Sequence, residues 1–136
     1  MPTEAEREYA ARGGEDYAYS GSDTATAVAW FYDNAYGVST YAHEVATLTS
    51  NSYGLYDMSG NVDEWTQDWY DSAHGGYGDG SPDVDPAGPV TGSGLRGIRD
   101  GTWVSSEIAV WVVYRVGATP GHRGTNTGAR LTRSVP

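Results

Sequence analysis

A chain of 136 residues without a cysteine has room for one hydrophobic core and no disulfide to brace it. Its formal net charge of −10 works against nucleic acid, whose phosphates it would repel, and no apolar run reaches the ~20 residues of a membrane span. The charge is unevenly spread: residues 96–136 hold six of the eight arginines and only two acids, and lysine is absent, which points to guanidiniums fixed by hydrogen bonds. With 19 glycines, 11 tyrosines and five tryptophans against one phenylalanine, short elements joined by tight loops are expected, in one domain over 1–136.

Met1-Pro2-Thr3 runs straight into a helix start, with no leader read ahead of it, and the compartment stays open. Thr3 as N-cap and Glu6 three positions on form a capping box; Gly13-Gly14 stops the helix. Ala5, Tyr9 and Ala10 are its expected apolar stripe. Residues 15–29 read as a connection, 29–34 as an aromatic cluster closing into a turn, and 35–53 as loop with at most a short strand at 43–48. His43 stands alone and reads as an ordinary hydrogen-bonded histidine.

Residues 54–65 set Asp57, Asp63 and Glu64 around a turn at Gly60-Asn61, leading into an aromatic strand over 65–70. Such an acidic turn holds a metal or fixes a corner. Calcium takes ~6–8 oxygens, mixing carboxylates with carbonyls from a tight turn. Asp57 and Glu64 can supply side-chain oxygens, and Gly60 and Val62 main-chain carbonyls. In the other reading Asp57 and Glu64 cap nearby amides and the turn is held by hydrogen bonds alone.

Residues 71–94 read as a long loop, of a length that is usually either functional or mobile. A strand is expected over 96–103, ending on Trp103. The strongest strand signal is 109–115, rich in β-branched and aromatic residues, and a last short strand is expected over 128–133. Along 109–115, Val110, Val112 and Tyr114 share one face, and Trp111 and Val113 the other. Either Trp111 and Val113 look outward as a binding hot spot, or the strand is buried on both faces. Helices first, then strands and long loops, make the fold class α+β. Ser105 or Ser106 with His122 could make a nucleophile pair on paper, but nothing in the sequence orients it.

In order, the chain reads Pro2-Thr3-Glu4-Ala5-Glu6, Glu8-Tyr9-Ala10-Ala11-Arg12-Gly13-Gly14, Val28-Ala29-Trp30, Gly54-Leu55-Tyr56-Asp57-Met58-Ser59-Gly60-Asn61-Val62 with Glu64-Trp65, Asp68-Trp69-Tyr70, Asp85-Pro86-Ala87-Gly88-Pro89, 96–103 and Gly128-Ala129-Arg130-Leu131. These phrases resemble the formylglycine-generating-enzyme-like, or sulfatase-modifying-factor, family, which has a C-type-lectin-type fold. The resemblance covers the whole chain, and implies that an upstream portion of the family domain is missing. It also implies a calcium site at Asp57, Gly60, Val62 and Glu64, whereas a second family calcium site finds no match in 28–48. Four positions depart from the family pattern: Arg7 and Asp63 stand for tryptophans, Asp100 for a glycine and Ala129 for a phenylalanine. Each removes an apolar anchor or a glycine, which puts stability in question.

The family's oxidases bind copper on two cysteines just after the 96–103 phrase. Here 104–110 holds none, and serine does not replace a thiolate toward Cu(I), so no copper and no formylglycine generation are expected. A related branch, the sulfoxide synthases, binds iron with help from a second domain, absent here; His43, His74 and His122 are scattered. Within the family the chain also resembles the non-catalytic variable proteins of diversity-generating retroelements. Trp103, Val112, Arg115, Pro120, Arg123, Gly128 and Arg130 fall at their scaffold positions. The resemblance implies a ligand face on Ser105, Ser106, Glu107, Ile108, Trp111 and Val113, on Val116, Gly117 and Ala118, and on His122, Gly124, Thr125 and Asn126. The partner would be a protein or other surface ligand, the setting a cell surface, the extracellular space or a phage particle. If the upstream portion comes from a second chain, exposed apolar positions would form a homo-oligomer interface. The arginines at 99, 115, 123 and 130 are expected to brace loops. The alternatives are a catalytically degenerate structural or assembly module, and an enzyme with an unrecognised site.

Overall fold

The structure is a computed structural model that describes residues 1–38, 40–72, 88–89 and 92–133. Most of the long loop expected over 71–94, the phrase at 85–87 and His74 lie outside the described residues. Helix α1 (Glu4–Arg12) starts as the sequence predicts: the Thr3 hydroxyl accepts from the Glu6 amide at 3.1 Å, and Glu6 Oε2 accepts from the Thr3 amide at 2.7 Å. It ends at Gly13 in the left-handed region, φ 62°. Two one-turn helices follow, α2 (Ala25–Val28) and α3 (Tyr32–Ala35). The expected strand over 43–48 is a turn instead, with Ala46 at φ 60°.

Strands β1 (Asp63–Trp69), β2 (Arg96–Arg99), β3 (Arg115–Ala118) and β4 (Thr127–Ala129) form one sheet in the order β3-β2-β1-β4. The two β2 pairings are antiparallel and β1–β4 is parallel. The strand expected to run to Trp103 ends at Arg99, because Asp100 (φ 87°) and Gly101 (φ 67°) reverse the chain. The strand expected over 128–133 is displaced to 127–129, and Arg130 leaves the sheet to reach Glu64.

The strongest sequence signal for a strand, 109–115, is not one. Glu107–Val110 is a 3₁₀ turn, 111–113 a further turn, and pairing begins only at Arg115. Bonds to other segments replace the ladder: the Val112 amide donates to Ala18 O at 2.9 Å, and Val112 O accepts from Arg99 Nη2 at 2.7 Å. Tertiary bonding here overrides β-propensity. The inside–outside alternation survives: Val110 and Val112 are buried, while Trp111 and Val113 are 41% and 51% exposed.

Helix α1 does not bury the expected stripe. Tyr9 is 68% exposed, and the buried positions are Glu4, Arg7 and Ala11. Glu64, Thr66 and Asp68 are likewise the buried residues of β1. Register lines up Arg115, Arg99 and Glu64 across three neighbouring strands, and α1 sets Glu4, Arg7 and Glu8 against them. The layer between helix and sheet is therefore ionic. Two small apolar clusters flank it: Tyr19, Ala25, Val28, Ala29, Phe31 and Val110, and Ala11, Met58 and Val112.

Candidate ligand-binding face and acidic corner

The 3₁₀ turn and the turn after it present Ser106, Glu107, Ile108, Trp111 and Val113 outward. A hydrogen-bond chain orders the two largest: Trp111 Nε1 donates to the Tyr19 hydroxyl at 3.1 Å, which donates to Glu107 Oε1 at 2.7 Å. Burial and Glu107 push the Tyr19 hydroxyl pKa up, so it stays a neutral donor. Tyr19 is a buried member of the first apolar cluster, so the exposed Trp111 ring is tied to the core. The sequence reading missed Tyr19, and no local pattern marks it.

Other expected ligand positions are built differently. The Ser105 hydroxyl accepts from the Thr102 amide at 2.9 Å and serves the turn. His122 sits edge-on to Trp65, and no hydrogen bond joins it to Ser105 or Ser106 among the described residues. Val116, Gly117 and Ala118 are half-buried in β3, and a Cβ on Gly117 would lie 2.5 Å from Tyr70 Cδ1, so that glycine is there for packing. Gly124 and Thr125 are exposed, and Asn126 O accepts from the Asp63 amide at 2.9 Å where β4 joins β1. Because β3 and β4 are opposite edges of the sheet, the expected residues form separate groups, with the turn at 106–113 the most exposed and apolar.

Beside that turn, the Tyr32 amide donates to Ser105 O at 2.9 Å, and Tyr32 stacks on Tyr36 with centroids 4.5 Å apart. Tyr36, Val38, Tyr41 and Trp103 line an open cavity of about 420 Å³. The Trp103 indole N–H is buried without a partner among the described residues. The sequence reading put Tyr32 in the aromatic cluster at 29–34 and Tyr36 and Tyr41 in the loop over 35–53.

At the acidic corner, Asp57 Oδ2 accepts from the Ala46 amide at 2.8 Å. Both Glu64 oxygens accept from Arg130 Nε, at 3.1 and 3.0 Å, and Oε2 also accepts from Arg7 Nε at 3.0 Å. Arg130 Nη2 reaches the carbonyls of Tyr56 and Asp57 at 3.1 and 3.4 Å. Arg7 Nη2 donates to Asp100, whose carboxyl burial pushes up to about 7 against the pull of Arg7. The Gly60 amide donates to Asp100 O at 2.7 Å and the Asn61 amide to Trp30 O at 2.8 Å. No group of three acids or histidines converges among the described residues. Of the four expected calcium ligands, Glu64 is taken by the guanidiniums of Arg7 and Arg130 and the Asp57 carboxylate by the Ala46 amide. His43 stacks on Trp30 and bonds Asn61 through its backbone, but its Nε2 is buried without a hydrogen-bond partner among the described residues, unlike the ordinary hydrogen-bonded histidine expected.

The arginines otherwise act as braces: Arg99 holds Glu4 and Glu8 at 2.8 Å each, and Arg115 holds Glu4 and the Asp71 carbonyl. Asp63 is half-buried; burial raises its carboxyl to about 6, with the Gly101 amide and His122 pulling the other way.

This is a small α+β domain of the C-type-lectin type. The sulfatase-modifying factor enzyme 1-like domain model matches residues 1–135, and the chain belongs to that family. It is 37% identical to the solved structure of Treponema denticola variable protein 1, with a TM-score of 0.80, covering 95% of this chain and 45% of that one. PvdO from Pseudomonas aeruginosa matches at 29% identity and a TM-score of 0.78, over 95% of this chain and 50% of that chain. The formylglycine-generating enzyme of Streptomyces coelicolor is 34% identical over 99% of this chain and 46% of its own length. The chain spans from about a fifth to about half the length of the curated relatives it matches.

Proposed function

We propose that the chain is a non-catalytic ligand- or receptor-binding protein, diversified by a retroelement, that presents its partner with the turn at 106–113. The observation that carries this reading is the exposed Trp111 ring, pinned through Tyr19 to Glu107 beside exposed Ile108 and Val113. A rigid aromatic anchor next to apolar neighbours is the composition of a binding hot spot. The 37% identity to a variable protein supports the same reading. The absence of cysteine supports non-catalysis, since copper-thiolate oxidation needs two. Its partner is a protein or other surface ligand, met on a cell surface or phage particle.

The test is to sequence the native locus and natural variants from one host. A nearby reverse transcriptase and template repeat, with differences confined to 104–127, are expected. Variation spread evenly over the surface would count against the reading.

A further inference from the structure

We infer that the guanidiniums of Arg7 and Arg130 lock the corner at 57–64 in the role a divalent cation would fill, so that the fold stands without calcium. Arg7 is 2% exposed and spends all three nitrogens there: Nε on Glu64, Nη1 on Met58 Sδ at 2.9 Å, and Nη2 on Asp100. Arg130 bridges the Glu64 carboxylate to the Tyr56 and Asp57 carbonyls. Arg7 pairs with Glu64 and Asp100 and Arg130 with Glu64, so the buried Glu64 carboxylate is held by a guanidinium from two sides. Planar forks suit this work better than ammonium groups, because each holds acceptors in fixed directions.

The backbone was shaped for the lock. Asp100 sits at φ 87°, a region that disfavours a side chain, and this conformation sets its carboxylate beside Arg7. The same residue's carbonyl takes the Gly60 amide, and Asn61 O takes the Trp103 amide at 2.9 Å, so the two turns form one unit. Two of the positions at which the chain departs from the family pattern, Arg7 and Asp100, pair directly at this corner. Arg7 and Asp100 compensate each other.

Thermal melts of the full chain in calcium and in chelator, with calcium titrated calorimetrically into the chelated protein, test this directly. Coincident melts and no binding heat are expected. A calcium-dependent rise of several degrees, with stoichiometric heat, overturns it. Arg7→Met and Asp100→Asn provide the second arm. Each is expected to lower the melting temperature by about 10 °C or more, since one member of a buried pair is left alone. Together they should lower it by clearly less than the sum. If Arg7→Met does not fold, Asp100→Asn alone decides: an unchanged melt overturns the lock.

Discussion

Asp63 shows how one side chain makes stability depend on pH. Its folded carboxyl is raised from 3.8 to about 6 by burial, against the Gly101 amide and His122. A raised acid favours the fold fully below its ordinary pKa, and that contribution is lost as pH rises through about 6. Asp63→Asn is therefore expected to stabilise the protein by roughly 1–2 kcal/mol at pH 8, after discounting for partial exposure, and not at pH 4. Urea melts at the two pH values measure this; equal effects at both would refute it. Tyr19 is the residue-scale test of the binding face. Tyr19→Phe keeps the packed ring but releases Trp111 and Glu107. The expected loss is about 1 kcal/mol of stability, together with faster Trp111 motion in time-resolved fluorescence anisotropy.

Among the elements, the turn after β2 is the most tightly specified. A Cβ on Gly101 would lie 2.4 Å from Ala109 O, at φ 67°. Gly101→Ala is expected to cost about 2–4 kcal/mol, read as a lower urea midpoint with unchanged slope. This contact also shows where sequence reading stops. The start and stop of α1 were legible because Thr3, Glu6 and Gly13 act on their own neighbours. The 109–115 segment was misread because its amides and carbonyls bond Ala18 and Arg99, far away in sequence. The stripe of α1 was misread for a related reason: Glu4 and Arg7 are buried only because arginines and acids from three strands and a turn meet them. For the candidate site, alternation put Trp111 and Val113 on one face but left open whether that face was outward or buried, and Tyr19 and the cavity at Trp103 were not legible. The calcium reading rested on Asp57 and Glu64, and the sequence did not show that Arg7 and Arg130 reach Glu64 and the Ala46 amide reaches Asp57.

For the whole molecule, an ionic interior predicts an acidic stability optimum. Burial pushes the Glu8 carboxyl up, but Arg99 and Arg12 outweigh it and leave it below 4.5, so its contribution is lost as pH falls. Burial raises Asp63, Asp68 and Asp100, and their contributions are lost as pH rises, for Asp63 and Asp100 through about 6 and about 7. The net charge of −10 at pH 7 adds self-repulsion in the same direction. The melting temperature is expected to peak near pH 5; a peak at pH 8 would contradict this balance. The ionic layer also sets an order of assembly. Glu4 receives Arg99 from 95 positions downstream and Arg115 from 111. On a ribosome delivering ~5–20 residues per second, α1 waits several seconds or longer before the strands that neutralise it emerge. Until then it offers acids to water, without an apolar face on which to collapse early. Docking of α1 against these arginines is thus expected to be a late event.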